Sequence, residues 1–256
     1  MLPHWISLLF SASLFVLSAS SLKISQAGQQ APTYTATLGT SAKCLSEVNS
    51  AREAAGLPSF TDAPEGKKLI APKSNLDEDE EWKKVCMHLI PTEQTEAVAA
   101  ANSENPFKDG TYAFKSLTAA EPNCKETVDH WKAAFKSFTG LPPSKTQGAN
   151  LYKNQDNVSF VALYNPSSDA TADCRVVTCT KTTAGGTVLE SDSDQSPEYG
   201  YALICKTMPS AFADEDSAPF TQDQWDKVVS SLTGSASTAI PGFCAFFIAV
   251  FSLIAL

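Results

Sequence analysis

Histidine is scarce in this chain: three in 256 residues, at His4, His88 and His130, with none beyond. A zinc site needs three or four clustered donors, so a metal centre has little to start from. His88 and His130 read as helix-surface or boundary residues. Also missing are H-E-x-x-H, G-x-S-x-G and a P-loop, the starting motifs of metalloproteases, α/β-hydrolases and nucleotide-binding enzymes. The sequence therefore points away from an enzyme, and it assigns no catalytic residue, no metal ligand and no cofactor.

Charge is absent at both ends. Residues 1–20, MLPHWISLLFSASLFVLSAS, contain no Lys, Arg, Asp or Glu, run apolar from Trp5 to Leu17 and end in small residues. That is the pattern of a secretory signal peptide cleaved near Ser18-Ala19-Ser20. The final stretch, GFCAFFIAVFSLIAL, is apolar to its last residue and lacks the basic cluster that follows a single-pass anchor. Upstream, SSLTGSASTAIPG supplies the small residues and polar spacer of a GPI signal. The expected attachment residue is Gly234, in the triplet Gly234-Ser235-Ala236, with Ser231 as the fallback and 235–256 as the removed propeptide. The alternative is a short tail-anchor helix.

What lies between is a mature extracellular chain. Its net charge of −9 and pI near 4.8 argue against nucleic acid, heparin-like chains or anionic lipid surfaces as partners. Seven cysteines become six once Cys244 leaves with the tail. Cys44, Cys86, Cys124, Cys174, Cys179 and Cys205 form an even set in an oxidising compartment, which implies three disulfides.

Residues 21–43 are polar with no strong period and read as a loose N-terminal stem. CLSEVNSAREAAGLPSF then makes a helix. Ser41 can cap it, Leu45, Val48, Ala51 and Ala55 share a face, and Gly56 with Pro58 ends it. LDEDEEWKKVCMHLIP is a second helix behind a Ser74–Asp77 capping pattern, burying Trp82, Val85, Cys86 and Leu89. Its acidic run, Asp77 to Glu81, lacks the glycine and ligand spacing of a calcium loop and reads as a solvated helix start. TEQTEAVAAANSENPFKDG is a helix or loop, and GTYAFKSLT is strand-like. EPNCKETVDHWKAAFKSFTGLPP is a third helix with Val128, Trp131, Phe135 and Phe138 inward.

NVSFVALYN, apolar on both sides, reads as a central strand. CRVVTCTKTTAGGT and YGYALICKTMP read as paired strands around the polar loop VLESDSDQSPE, and TQDQWDKVVSSL as a closing helix. Asn157-Val158-Ser159 is the surviving N-glycosylation sequon, because Asn165 precedes a proline; its Asn157 would sit at a sheet edge. Cys174 and Cys179, five apart on one strand, face opposite ways, so a helix–sheet–helix sandwich is the natural architecture.

LSEVNSAREAAGLPSF resembles the opening helix of the CAP superfamily of cysteine-rich secretory, antigen 5 and pathogenesis-related 1 proteins, through Leu45, Asn49, Arg52, Gly56, Leu57 and Pro58. DCRVVTC followed by YALICKTMP resembles that family's cysteines five apart and its next cysteine-bearing strand. Closer still, WKKVCMHLIP, GTYAFKSLT and HWKAAFKSFTGLPPSK, with six mature cysteines and a GPI-type tail, resemble the SAG surface antigens of the coccidian parasite Eimeria. The resemblance implies an α+β fold, a disulfide-stapled, CAP-like three-layer αβα sandwich over residues 44–233. It also implies the pairs Cys174–Cys205 between adjacent strands and Cys86–Cys179 between second helix and sheet, leaving Cys44 with Cys124. Many CAP proteins hold a metal with two histidines and two acidic residues in a central cleft; here no histidine follows residue 130. The implied function is that of a non-catalytic, GPI-anchored antigen meeting host cell surfaces or immune components, with no nucleic-acid partner. The alternative is a CAP-type lipid or sterol carrier.

Overall fold

A computed structural model describes residues 31–92, 107, 109–183 and 196–234. Residues 1–30, 93–106, 108, 184–195 and 235–256, which include the expected signal peptide and the expected propeptide, lie outside the described residues.

The strands are β1 (Thr33–Leu38), β2 (Thr61–Asp62), β3 (Thr111–Leu117), β4 (Thr171–Thr182) and β5 (Glu198–Met208). The helices are α1 (Leu45–Ala54), α2 (Glu80–Leu89), α3 (Cys124–Ala133), α4 (Gln155–Leu163) and α5 (Gln222–Thr233). Four strands pair antiparallel in the order β1-β4-β5-β3, and β2 adds a two-residue parallel pairing at the start of β4. The fold is thus mixed α+β around an antiparallel sheet with three disulfides.

Both faces of the sheet are apolar. On β4, Ala172, Cys174 and Val176 turn toward a core closed by α1, α3, α4 and α5. Val177 and Cys179 turn toward a second core with Trp82, Val85 and Cys86 of α2 and with Leu69 and Leu76 before it. Alternating side chains thus demand cover on both sides, and helices supply it.

Local chemistry starts the helices. Asp79 accepts from the Trp82 amide at α2, Asn123 from Glu126 at α3 and Asn154 from Asp156 at α4, while Thr221 and Gln224 form a reciprocal capping box at α5. α2 therefore begins at Asp79 rather than at Ser74. The acidic run expected as its start is split between that cap and a 3-10 turn, Leu76–Glu78, capped by Asn75. α1 begins at Cys44, with φ 61° and no side-chain cap, not under Ser41. Gly56, at φ 67°, ends α1 in the left-handed conformation that glycine adopts at least cost.

Two expectations are corrected. The residues read as a central strand, NVSFVALYN, form α4 and the turn after it. That helix lies between the sheet and the outer helices, so Asn157 and Ser159 through Leu163 are all buried. Burial on every side erases the one-faced period that separates a helix from a buried strand. Second, the stem is not wholly loose. Its residues 33–38, TYTATL, are β1, with Tyr34 buried and Ala36 and Leu38 packed against the α2 core.

The disulfides are Cys44–Cys124, Cys86–Cys179 and Cys174–Cys205, the three pairs that the resemblance implied. Cys174 and Cys205 are direct cross-strand partners. Cys86–Cys179 ties α2 to β4, and Cys44–Cys124 ties the start of α1 to the start of α3.

Candidate functional site

The sheet has two edges, and they differ. At β3 the outward backbone groups are closed by side chains. Gln155 donates to the Tyr112 carbonyl at 2.8 Å, the Phe114 amide donates to the Ser159 hydroxyl at 3.0 Å, and the Trp131 indole donates to the Phe114 carbonyl at 2.9 Å. The polar residues buried in α4 and the buried Trp131 of α3 thus pair groups that would otherwise be left without partners.

Beyond that seal, at Lys115 and Ser116, lies an open groove of about 630 Å³. Its walls bring together His88 of α2 and His130 of α3, the two histidines among the described residues, with Phe114, Lys153 and Asp156. His130 Nε2 lies 3.0 Å from Asp156 Oδ1, and the His88 ring meets the Phe114 ring edge-on at 5.6 Å. Among the described residues no group of three or more His, Cys, Asp or Glu is placed to hold a metal ion. Apart from Phe114 the lining residues carry polar or charged groups.

The sequon residue is placed differently from the expectation of a sheet edge. Asn157 is 2 % exposed inside α4, and its amide nitrogen donates to the Leu151 carbonyl at 2.8 Å. A glycan on that nitrogen is incompatible with this packing: its acceptor atom is engaged and walled in by the helices.

The most distinctive free surface lies on the face covered by the four helices, where their cover stops. Register sets Thr33, Thr35 and Thr37 of β1 against Thr182, Thr180 and Thr178 of β4, then Thr180 and Thr178 against Tyr199 and Tyr201 of β5. The three β1 threonines, Thr182 and Tyr199 are exposed, and Thr178, Thr180 and Tyr201 are half-buried. Tyr199 is 56 % exposed. These eight side chains form an uncharged platform on the sheet. Short β-branched hydroxyls and tyrosine rings offer hydrogen bonds and apolar contact while losing little side-chain freedom on binding. Its signal was present in the sequence as alternating threonine, in TYTATL and in the Thr178-x-Thr180-x-Thr182 run.

The chain leaves the domain far from this platform. Ser231, near the end of α5, hydrogen-bonds Tyr164. The next residue, Asn165, donates to the Thr207 hydroxyl at 3.1 Å and the Pro209 carbonyl at 2.8 Å, at the opposite end of β5 from Tyr199. Eight residue steps of strand run from Tyr199 to Thr207, about 26 Å at the usual rise. Gly234, at φ 71°, follows α5 directly.

Residues 40–247 match the sporozoite surface antigen (SAG) protein domain. A relative, the sporulated oocyst TA4 antigen of Eimeria tenella, is 29% identical over 231 residues, covering 83% of this chain and 87% of that protein. No solved structure matches the chain, so the comparisons lend no support to the CAP-like part of the sequence resemblance. The match across most of its length establishes that the chain belongs to the sporozoite surface antigen (SAG) family.

Proposed function

We propose that this protein is a GPI-anchored surface antigen that attaches to host cell surfaces or immune components through its threonine–tyrosine platform, without catalysis and without metal. Membership of a surface antigen family implies a cell-surface location. The observation that carries the finer reading is the separation between platform and chain exit. A lipid attached at Gly234 would hold one end of the sheet at the membrane and turn Thr33, Thr35, Thr37 and Tyr199 outward. Exposed surfaces on a rigid scaffold are where binding resides, and the threonine and tyrosine side chains of the platform are uncharged.

The anchor and the attachment are tested separately on the full chain displayed on cells. Phosphatidylinositol-specific phospholipase C should release the protein with its last residue at Gly234 or Ser231. Retention with an intact C-terminal peptide by mass spectrometry would establish a tail anchor. Released protein should then bind host cells saturably, and binding no better than that of a disulfide-reduced control would remove attachment.

A further inference from the structure

The end of the sheet where the chain leaves the domain is wrapped by the stretch from Gly56 to Pro72. Gly56 lies beside α5: a Cβ placed on it would sit 3.7 Å from the Lys227 side chain. Thr61 and Asp62 then pair with Thr171 and Ala172 at the start of β4. On the other face, Leu69 enters the α2 core and its amide donates to Asp173 at 2.8 Å. These β4 residues lie opposite Lys206 to Met208, the end of β5 that Asn165 grips.

The wrap is electroneutral in a chain of net −9, its charged residues being Asp62, Glu65, Lys67 and Lys68. Pro58 and Pro64 are exposed on it, and it presents Ile70, 73% exposed, next to exposed Ala71. The backbone around Ile70 is braced. Lys206 donates to the Lys68 carbonyl at 3.1 Å, the Trp82 indole to the Ile70 carbonyl at 3.0 Å, and the Lys73 amide to the Asp79 carboxylate at 3.0 Å. One exposed isoleucine is ordinary on a protein surface; its place at the end of the domain where the chain exits gives this one a neighbour.

We infer that Ile70 and Ala71 dip into the zwitterionic outer leaflet of the membrane that carries the protein. This rests on the lipid anchor at Gly234 proposed above. Gly234 follows α5 directly, so the tether is short and the wrapped end faces the lipid. A neutral surface meets zwitterionic headgroups without net repulsion, whereas the carboxylates from Asp77 to Glu81 beside it disfavour an anionic leaflet. The anchor already holds the domain at the membrane, which makes the contact intramolecular. Moving one isoleucine out of water, about tenfold in the equilibrium, is then enough to set the tilt of the domain. The contact keeps the sheet upright and the threonine–tyrosine platform turned away from the membrane.

The test uses the full lipid-bearing protein reconstituted in phosphatidylcholine vesicles, with a bimane label on Ala71→Cys or on Glu198→Cys at the opposite end of β5. Phosphatidylcholine carrying an acyl-chain nitroxide quenches a label only where it approaches the leaflet. Position 71 should be quenched several-fold more than position 198, and Ile70→Ser in the Ala71→Cys form should remove most of that excess. Equal quenching at the two positions, or an excess untouched by Ile70→Ser, would overturn the contact. Phosphatidylinositol-specific phospholipase C applied to the same vesicles reads the anchor separately. Absence of release would count against the lipid at Gly234, while the comparison of labels would still decide whether Ile70 meets the leaflet.

Discussion

Trp131 donates its indole N–H to the carbonyl of Phe114, 2.9 Å away, and so closes a strand edge from a helix. Trp131→Phe keeps most of the ring and removes the donor, leaving the Phe114 carbonyl unpaired beneath α3. An unsatisfied buried acceptor costs about 1–3 kcal/mol. The urea midpoint should fall accordingly, with the slope of the transition unchanged.

Arg52 is a buried cation without a carboxylate. It is 0% exposed, its guanidinium carbon lies 3.6 Å from the Phe60 ring centre, and it donates to the carbonyls of Pro58, Leu163 and Asn165 at 2.8, 3.0 and 2.9 Å. One fork thereby pins the end of α1 to the turn between α4 and β4. Arg52→Met should destabilise by about 3 kcal/mol or more because three carbonyls lose a donor. Arg52→Lys should recover only part of the loss, since an ammonium cannot reproduce the planar fork. Chemical denaturation of the three proteins ranks them.

Alkali should unfold the domain through its tyrosines. Burial raises Tyr164 from 10.0 to about 12, burial raises Tyr152, and burial followed by the nearby Asp109 raises Tyr112. The unfolded chain then loses these protons first, so stability falls as pH rises above about 10. Arg52 acts the other way. Burial lowers it to about 10, the native state sheds its proton first, and stability rises with pH above that value. Three tyrosines outweigh one arginine, so the net slope should be negative. Urea midpoints taken from pH 9 to 11 should fall, and Tyr164→Phe should flatten the decline. A rising midpoint would contradict this assignment.

The disulfides should differ in worth by the loops they close. Cys86–Cys179 spans 93 residues, Cys44–Cys124 spans 80 and Cys174–Cys205 spans 31. In the loop-entropy picture these correspond to about 4.6, 4.5 and 3.7 kcal/mol. Paired Cys→Ala variants should therefore lose the most stability when α2 is released from β4 and the least when the cross-strand pair is removed. The reverse order would show that packing around Cys174 and Cys205, not loop closure, sets the scale.

Where periodicity was one-sided, the sequence spoke clearly. Val48, Trp82, Val128, Trp131 and Trp225 mark the inner faces of α1, α2, α3 and α5, and the β4–β5 pair was legible from two β-rich runs around a polar loop. α4 was not, because a helix buried on all sides offers the same apolar run as a central strand. β1 was overlooked although Tyr34, Ala36 and Leu38 alternate with threonines. An edge strand facing water on one side is half polar, so it reads as a stem when only apolar content is weighed. The candidate surface shared that fate: threonine is a common loop residue, and only the register of β1, β4 and β5 gathers six threonines and two tyrosines onto one face.

Saturable binding of the released protein to host cells, compared across surface variants with and without EDTA, tests the central claim most directly. Thr35→Lys together with Tyr199→Ser alters the platform without touching either core. This variant should lose at least tenfold in affinity, about 1.4 kcal/mol. His88→Ala with His130→Ala, in the groove, should bind as the parent does, and EDTA should change nothing. Undiminished binding by the platform variant, or binding abolished by EDTA, would contradict attachment through an uncharged, metal-free sheet face.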